Sequence, residues 1–392
     1  MKKQLFILAA AALALASCSN DETIESVATS PSNEISFRTF VDGVTRSTAG
    51  PMAGTSFAEG DVINVYAAFT PSGGEAAKYF QADFTKQSGS DGFTSTAKYY
   101  WPAFASGDKM TFTAIYGATH STTTVGMVDD FTPTAIASGG DEGKMMDLLV
   151  AKKEVTAKED KVVLNFRHAL SQIVVNVKNS NAALDFDVTG VRIGFVSTQG
   201  DFTYSGGVTT AQEEDGHTTP TNTLVAAGNW SNLTPATPTA TNKYDQTWTK
   251  QAITTTHNDA TALSSFLPKL LIPQTQTAAN AYAAATQGTA TSNPTLNGSY
   301  IALELEIYNY NGTARSNKLV AKQWCYWPCD FTWNPGYKYT YTVDLAGGGY
   351  QPINTESAST ELDKVLGDVI VFSPSCTIDY WVTPAANNVT MP

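Results

Sequence analysis

Short runs in which apolar and polar residues alternate recur along the whole chain. The first is EISFRTFV, near the N-terminus, where Ile35, Phe37 and Val41 share one face and Ser36 and Arg38 the other. A period of two residues is typical of a half-buried β-strand. Gly, Asn and Pro separate the runs at short spacing, and the sequence contains no long amphipathic helical pattern. The pattern predicts an all-β protein built of β-sandwiches with long polar loops.

Later segments share the same composition of β-branched and aromatic residues between turn-forming residues. They are VINVYAAF, FTSTAKYYW, KMTFTAIYG, DLLVAKKEV, KVVLNF, IVVNVKN, FDVTGVRIGF, YIALELEIYNY, KLVAKQW, YKYTYTVDL, VIVF and TIDYWV. HALSQ is expected to form one helical turn. Thr, Ala, Asn, Gly and Pro dominate between about Ser205 and Pro294, which predicts long surface loops around short strands. A length of 392 residues suggests two domains, which we place at residues 34–170 and 171–392.

The start of the chain has the build of a secretory signal. Lys2 and Lys3 precede an apolar run that is too short for the roughly 20 residues that span a bilayer. Leu15-Ala16-Ser17-Cys18 then resembles the lipobox of bacterial lipoproteins. This resemblance implies a signal peptide at residues 1–17, lipidation of Cys18, a tether at 18–33 and an outer-membrane destination. The alternative is an ordinary signal peptide with a chance cysteine.

The charge balance bears on partners. The formal net charge is −12, and loss of the two signal-peptide lysines moves it to −14. An acidic chain is unsuited to nucleic acid, which needs basic faces. It is equally unsuited to a membrane-surface role driven by Lys and Arg. The acidity favours a solvated coat.

Motifs for catalysis or metal binding are missing from the sequence. It has no G-x-S-x-G elbow, HExxH helix or Walker A loop, so we expect neither an enzyme nor a cofactor. Asp185 and Asp187 begin like a calcium loop, but Val196 occupies the place of the closing Glu. A polar strand end is the plainer interpretation, and no metal site is predicted.

Cysteines and aromatic residues leave alternatives open. Beyond Cys18 there are three cysteines, at positions 325, 329 and 376, an odd number that cannot pair completely within one chain. Buried cysteines, or one bridge with a spare thiol, are both compatible with this. The aromatic run Tyr99-Tyr100-Trp101 could stack on sugars if it is exposed, although such residues more often lie in the core.

Several pieces of the sequence, taken in order, resemble the fimbrillins, the FimA-like and Mfa-like subunits of type V pili. These pieces are the lipobox, the ISF strand, the turn with VTRST, FAEGDVINVYA, YYWPAFASGDKMTFTAIYG, DLLVAKK, LNFRHALSQIVVNV and LLIPQTQT. The resemblance implies two transthyretin-like β-sandwich domains and a lipoprotein precursor that is held at the outer membrane. It also implies that an arginine-specific protease removes the first strand, and that a strand from another subunit replaces it in a cell-surface fimbria.

The residues suggest where these events occur. Arg46 lies in a turn rich in Gly, Thr and Ser, whereas Arg38 lies within the predicted first strand, so we expect cleavage between Arg46 and Ser47. An ordinary solvated loop arginine is the alternative. Cleavage removes four apolar side chains, which we expect to leave an empty slot. These are Ile35, Phe37, Phe40 and Val41.

The candidate replacement strand lies near the C-terminus. In TIDYWVT, Ile378, Tyr380 and Val382 alternate with Asp379 and Trp381, and VIVF at 369–372 could pair with this strand as a hairpin. The alternative is that both are simply the last strands of the second domain. A stalk subunit is favoured over a tip or an anchor. Its expected partners are other pilin subunits, the protease and, before processing, the membrane. A glycan-binding surface lipoprotein and a surface hydrolase remain alternative functions.

Overall fold

A computed structural model describes residues 33–41, 57–90, 92–122, 126–134, 145–204, 228–239, 241–278, 298–347, 350–352, 362–364, 375–380 and 389–390. For residues 40 and 41, and from residue 347 onward, the description is limited to the backbone. The described part is all-β, as the alternation predicts, with one short 3-10 helix at Leu345–Gly347. Within it, no helix is long and apolar enough to cross a membrane.

The strands follow one another through the described part of the chain. In order they are β1 (Phe37–Val41), β2 (Val62–Thr70), β3 (Ala77–Lys86), β4 (Gly92–Thr94), β5 (Lys109–Tyr116), β6 (Met127–Phe131), β7 (Leu149–Val155), β8 (Val162–His168), β9 (Ser171–Lys178), β10 (Leu184–Gly194), β11 (Gln199–Tyr204), β12 (Gly228–Thr234), β13 (Lys243–Ile253), β14 (Thr261–Ala262), β15 (Lys269–Leu271), β16 (Thr275–Gln276), β17 (Tyr300–Tyr310), β18 (Arg315–Pro328), β19 (Phe331–Thr332), β20 (Tyr337–Asp344), β21 (Tyr350–Pro352), β22 (Leu362–Lys364), β23 (Ser375–Tyr380) and β24 (Val389–Thr390).

Seven strands close into a barrel in the order β1-β4-β3-β2-β5-β7-β8. Every neighbouring pair is antiparallel except β1 and β8, which run parallel and so form the seam of the barrel. Strand β8 illustrates why the sequence folds this way. Its residues VVLNFRH are alternately buried and half-buried, so one face fills the barrel and the other faces outward.

The remaining strands form four further sheets. One six-stranded sheet has the order β13-β10-β17-β18-β21-β22, and another contains β14-β9-β20-β23-β24, with β15 also paired to β9. A three-stranded sheet, β12-β11-β6, and the pair β16-β19 complete the set. Strand β6 therefore lies beside later parts of the chain, although it precedes the last two strands of the barrel.

Two large hydrophobic cores result, and they share a wall. The first fills the barrel, and the second lies among the later sheets. On β5, Ala114 belongs to the first core while Ile115 belongs to the second. On β7, Ala151 and Val150 divide in the same way. The outer face of the barrel thus packs on the second core. The assignment of the domains to 34–170 and 171–392 stays a prediction.

Three local expectations differ from the structure. HALSQ does not form a helical turn, because His168 ends β8 and Ser171 begins β9, with only two fully buried residues between them. The run FTSTAKYYW is mostly irregular, with β4 at its start and a single bridge at Tyr100. The loop-rich region contains the 11-residue strand β13, which pairs with β10.

Candidate functional site: the first strand and its groove

The backbone of the first strand is hydrogen-bonded on both sides. Strand β1 pairs with β8 along its whole length, from Phe37 opposite Val162 to Val41 opposite Phe166, and with β4 at its start. Upstream of β1, the N–H of Ile35 donates to the carbonyl of Tyr99 at 2.7 Å. The residues before and within β1 therefore occupy a complete slot in the barrel wall.

Two side chains of this segment enter the first core. Ile35 is 3% exposed and Phe37 is fully buried. The ring of Phe37 meets Phe84 and Phe112 edge to face, with centroids 4.8 Å and 5.3 Å apart. Burial of such a side chain contributes about 1.5–3 kcal/mol, so these two together contribute about 3–6 kcal/mol. The side chains of Phe40 and Val41 lie outside the described residues.

We call the slot that β1 occupies between β8 and β4 the groove. Aromatic rings also line the core close to Phe166, which pairs with the end of β1. Phe57 packs edge to face on Phe93, Tyr116 and Phe166. Sequence reasoning did not connect Phe57 with the first strand. No alternating pattern surrounds Phe57, so the sequence does not predict its burial. Its only distinguishing feature is its position shortly before Gly60-Asp61.

Trp101 borders the same core and has an unusual feature. Its ring stands edge to face on Phe112, the ring that also borders Phe37, with centroids 5.8 Å apart. Trp101 is 5% exposed, yet its indole Nε1 has no acceptor among the described residues. A buried donor without a partner costs free energy, and such groups are few in native proteins.

The outer rim of the groove carries a charge pair. The Nζ of Lys98 lies 3.0 Å from Oε2 of Glu34, and the backbones of Glu34 and Tyr100 form an antiparallel bridge. The hydrogen bond with Glu34 raises the pKa of Lys98 above its ordinary value. Nothing local in the sequence predicts this contact, because 64 residues separate its members.

The arginines other than Arg46 all lie in strands. Arg38 is in β1 and Arg167 is in β8. Arg192, in β10, makes two hydrogen bonds to the carboxylate of Asp245, at 2.7 and 2.8 Å. Arg315, at the start of β18, holds two buried carboxylates. Cys18, Arg46 and Ser47 lie outside the described residues, so the predicted lipidation and cleavage stay predictions.

The candidate replacement strand lies in a sheet of its own chain. Strand β23 pairs antiparallel with β20, with Ile378 opposite Tyr339 and Tyr380 opposite Tyr337. Strand β20 is held on its other side by β9. Val382 and the segment VIVF lie outside the described residues. The expectation that this strand acts as a donor is therefore still a prediction.

The calcium-like sequence has a structural explanation. Arg315 donates from Nε to Asp185 at 2.9 Å and from Nη1 to Asp187 at 2.6 Å, and Lys250 lies 3.2 Å from Asp187. Burial raises the pKa of Asp187, but the hydrogen bonds from Arg315 and Lys250 outweigh it and hold the pKa below its usual range. In the described part of the chain, no cluster of His, Cys, Asp or Glu could hold a metal ion.

Cysteine and aromatic candidates fall mainly in the core. Cys325 and Cys329 are both buried, and burial raises the pKa of the Cys325 thiol well above its usual range, which makes it unreactive. Tyr99 stacks on Phe80 at 4.2 Å, whereas Tyr100 is 49% exposed. Most of the aromatic run is thus committed to packing.

Comparison of the sequence with known protein families identifies the family to which the chain belongs. A family model described as fimbrillin-like matches residues 45–362, which is most of the chain. The all-β chain with its barrel-seam first strand therefore belongs to the fimbrillin-like family, as the ordered sequence pieces predict. A search of curated proteins found no match.

Two fimbrial proteins are among the solved structures to which the chain is similar. One is a fimbrial protein from Bacteroides vulgatus, 15% identical, with a TM-score of 0.46 and coverage of 89% of this chain and 100% of the other. The other is a fimbrial assembly protein from Parabacteroides distasonis, 9% identical, with a TM-score of 0.34 and coverage of 91% and 99%.

Proposed function

We propose that this chain is a structural subunit of a cell-surface fimbria, and that it assembles by exchange of its first strand. Membership of the fimbrillin-like family supports the fimbrial role. The observation that carries the exchange step is the position of β1, which is the first strand in the described part of the chain and also lies at the seam of a closed barrel.

The proposed sequence of events begins at the membrane. The signal peptide at 1–17 directs export, and acylation of Cys18 holds the precursor at the outer membrane, since two or more acyl chains anchor a protein stably. The tether at 18–33 then precedes the first strand. Cleavage between Arg46 and Ser47 separates both the lipid and β1 from the rest of the chain.

The distribution of arginines supports selective cleavage at Arg46. A protease needs an extended, accessible backbone, which ladder hydrogen bonding within a sheet denies it. Arg38, Arg167, Arg192 and Arg315 all belong to paired strands. Arg46 is the arginine that sequence composition places in a turn.

Loss of the first strand creates a strong demand for a replacement. The apolar contribution of Ile35 and Phe37, about 3–6 kcal/mol, is comparable to the whole stability of many domains, about 5–15 kcal/mol. The emptied slot also leaves the ladder groups of β8 and β4 without partners. Strand addition satisfies both needs, and the C-terminal strand of another subunit, with Ile378, Tyr380 and Val382, is the proposed donor.

Limited proteolysis tests the proposal. Purified precursor is treated with an arginine-specific protease, and the products are run on gels with and without heating. We expect one cut at Arg46 and high-mass ladders in the unheated lanes, with neither in the Arg46→Ala variant. A chain that is cut at Arg46 and remains monomeric would count against strand exchange. Deletion of residues 377–392 should abolish the ladders, and ladders that survive it would assign the donor elsewhere.

Glycan binding is a second candidate that one observation favours. Tyr79 and Tyr100 are 41% and 49% exposed, and the hydroxyl of Tyr79 donates to the carbonyl of Tyr100 at 2.7 Å. Adjacent exposed rings can stack on sugars. A glycan array probed with the unprocessed protein and with the Tyr79→Ala, Tyr100→Ala double variant tests this. Binding that is unchanged in the variant would remove these rings as a sugar site.

A further inference from the structure

We propose that residues 33–41, which we call the retained segment, stay bound in the groove after the chain is cut. The subunit then remains attached to its lipid-bearing segment until a strand of another subunit displaces that segment. The inference rests on the cleavage proposed above. It adds that cleavage by itself does not empty the groove, and that an ion pair between Glu34 and Lys98 helps to hold the cut segment in place.

The described contacts of the retained segment are all made before the cut. Strand β1 ends at Val41, the next described residue is Phe57, and the proposed cut after Arg46 lies between them. Hydrolysis there breaks one covalent connection and takes away none of the described contacts. It lowers the effective concentration of the segment at its groove, because an intramolecular partner becomes a separate one. The strength of the remaining contacts therefore decides whether the segment leaves.

Backbone hydrogen bonds hold the retained segment along its length. At its start, Asn33 and Ile35 exchange backbone hydrogen bonds with residues 99–101, at 3.0 and 2.7 Å. In the middle, the N–H of Val162 donates to the carbonyl of Ser36 at 2.9 Å. The five residues of β1 then pair with β8, and the first two of them also pair with β4. Proteins bind separate peptide strands through the same kind of backbone pairing.

Two buried side chains oppose the departure of the retained segment. Ile35 and Phe37 both lie in the first core, and the ring of Phe37 meets the rings of Phe84 and Phe112. Departure of the segment exposes these apolar groups to water and leaves the facing edges of β8 and β4 unpaired. Unpaired strand edges favour pairing with the wrong chain, so retention protects the cut subunit until a replacement strand arrives.

An exposed ion pair joins the retained segment to the rest of the protein. The Nζ of Lys98 lies 3.0 Å from Oε2 of Glu34, beside the backbone bridge between Glu34 and Tyr100. The side chains of Lys98 and Glu34 are 65% and 35% exposed, so their attraction is modest and is weakened by salt. Glu34 precedes the cut and Lys98 follows it. This contact can therefore be changed without disturbing the buried side chains of the segment.

A tagged chain tests retention. The chain from residue 18 onward carries an affinity tag at its amino terminus in place of the lipid, and it is cut with the arginine-specific protease at a dilution that prevents ladder formation. We expect the tag to hold the cut subunit under native conditions and to lose it in denaturant. A second variant, with the recognition site of an unrelated protease inserted after Arg46, gives the same test if the natural site is not cut. A subunit that leaves the tag as fast as the chain is cut would overturn the proposal.

Charge reversal tests the role of the ion pair. The rate at which the cut subunit leaves the tag is measured in the presence of excess peptide of residues 33–46, which prevents rebinding. Glu34→Lys and Lys98→Glu should each speed release about two- to fivefold at low salt, and less at high salt. The double variant E34K/K98E should restore the original rate. Lys109→Glu is the matched control, because Lys109 forms a comparably exposed ion pair with Glu154, which the retained segment does not share.

The outcomes separate retention from the proposed assembly. Release that neither charge reversal changes, or a double variant as fast as its faster parent, would overturn the role of the ion pair. A cut subunit that stays on the tag, and forms no ladders when it is concentrated, would support retention and count against strand exchange. A cut subunit that leaves the tag at once, and still forms ladders when it is concentrated, would count against retention and leave strand exchange standing.

Discussion

Phe37 in the first strand stands edge to face against Phe84 in β3, with the two ring centroids 4.8 Å apart. Both rings are almost completely inaccessible to solvent. The contact joins the seam strand to β3, with β4 lying between them in the barrel wall, so the first strand is part of the core rather than a covering over it.

Truncation of Phe37 measures this contribution. Phe37→Ala in the unprocessed protein is expected to lower the free energy of unfolding by about 3–5 kcal/mol, because it leaves a cavity among aromatic rings. Urea denaturation measures the change. Leu319→Ala, at a side chain that is 46% exposed, is the control and should change stability by about 0.5 kcal/mol or less. Equal effects at the two sites would contradict the core role of Phe37.

A glycine at the end of β5 gives a second prediction. Gly117 has a φ of +83°, and a Cβ there would lie 1.9 Å from the carbonyl oxygen of Asp147. Gly117→Ala is therefore expected to destabilise the protein by clearly more than the roughly 1 kcal/mol that a left-handed conformation costs an alanine. Gly312→Ala is the matched control, because its φ is +87° with nothing within 4 Å. Equal melting temperatures for the two variants would contradict the steric argument.

The ion pairs of Arg315 with Asp185 and Asp187 on β10 give a third prediction. Arg315→Met leaves the buried carboxylates of Asp185 and Asp187 without their main partner, and we expect a loss of about 3–5 kcal/mol. Adding Asp185→Asn and Asp187→Asn to this variant removes the stranded charges and should recover part of the loss. Chemical denaturation of the original protein, Arg315→Met and the triple variant measures the three free energies of unfolding. No recovery in the triple variant would mean that packing, rather than charge, explains the effect.

A buried lysine predicts an unusual dependence of stability on pH. Burial lowers the pKa of Lys269 from 10.5 to about 8, and its Nζ donates to Oε1 of Gln246 at 2.7 Å. Between pH 8 and 10.5 the unfolded chain binds more protons at this residue than the folded chain, so its contribution to stability rises with pH. Below pH 8 the cost of burying the charge is fully present.

Removal of the Lys269 charge should therefore increase the stability of the folded protein most at neutral pH. We expect Lys269→Met to be more stable than the original protein at pH 7, by about 1–3 kcal/mol, and the advantage to vanish near pH 10.5. Unfolding by urea at both pH values measures the difference. Lys152→Met, which removes a lysine at an exposed position, is the matched control. A constant advantage for Lys269→Met would contradict the lowered pKa.

The strands that sequence analysis could predict are those with one clearly apolar face. Strands β8 and β9 alternate, and the structure buries the expected face of each; at β1 it buries Ile35 and Phe37, the described members of the expected face. Strand β13, with the sequence KYDQTWTKQAI, was missed because it lies at the edge of its sheet and most of its side chains stay exposed or half-buried. An edge strand needs few apolar residues, so its composition resembles that of a loop.

The candidate site was predictable only in part, for a similar reason. Ile35 and Phe37 follow from local alternation. Lys98 and Trp101 do not, because their relation to the first strand depends on the chain returning across the barrel. The helical turn proposed at HALSQ was wrong because two strands of different sheets meet there, and tertiary pairing overrides the local preference.

The parallel seam between β1 and β8 also has a consequence for folding. Ser36 and Asp160, which meet at this seam, are 124 residues apart in the chain. Contacts of such long range form late, because the entropy of closing a large loop must be overcome first. The first strand is thus expected to dock last, after the strands that form its slot have paired with one another. An open barrel is therefore the expected precursor of the closed one, and because the first strand is attached to the same chain, it can close the barrel without an encounter with a second molecule.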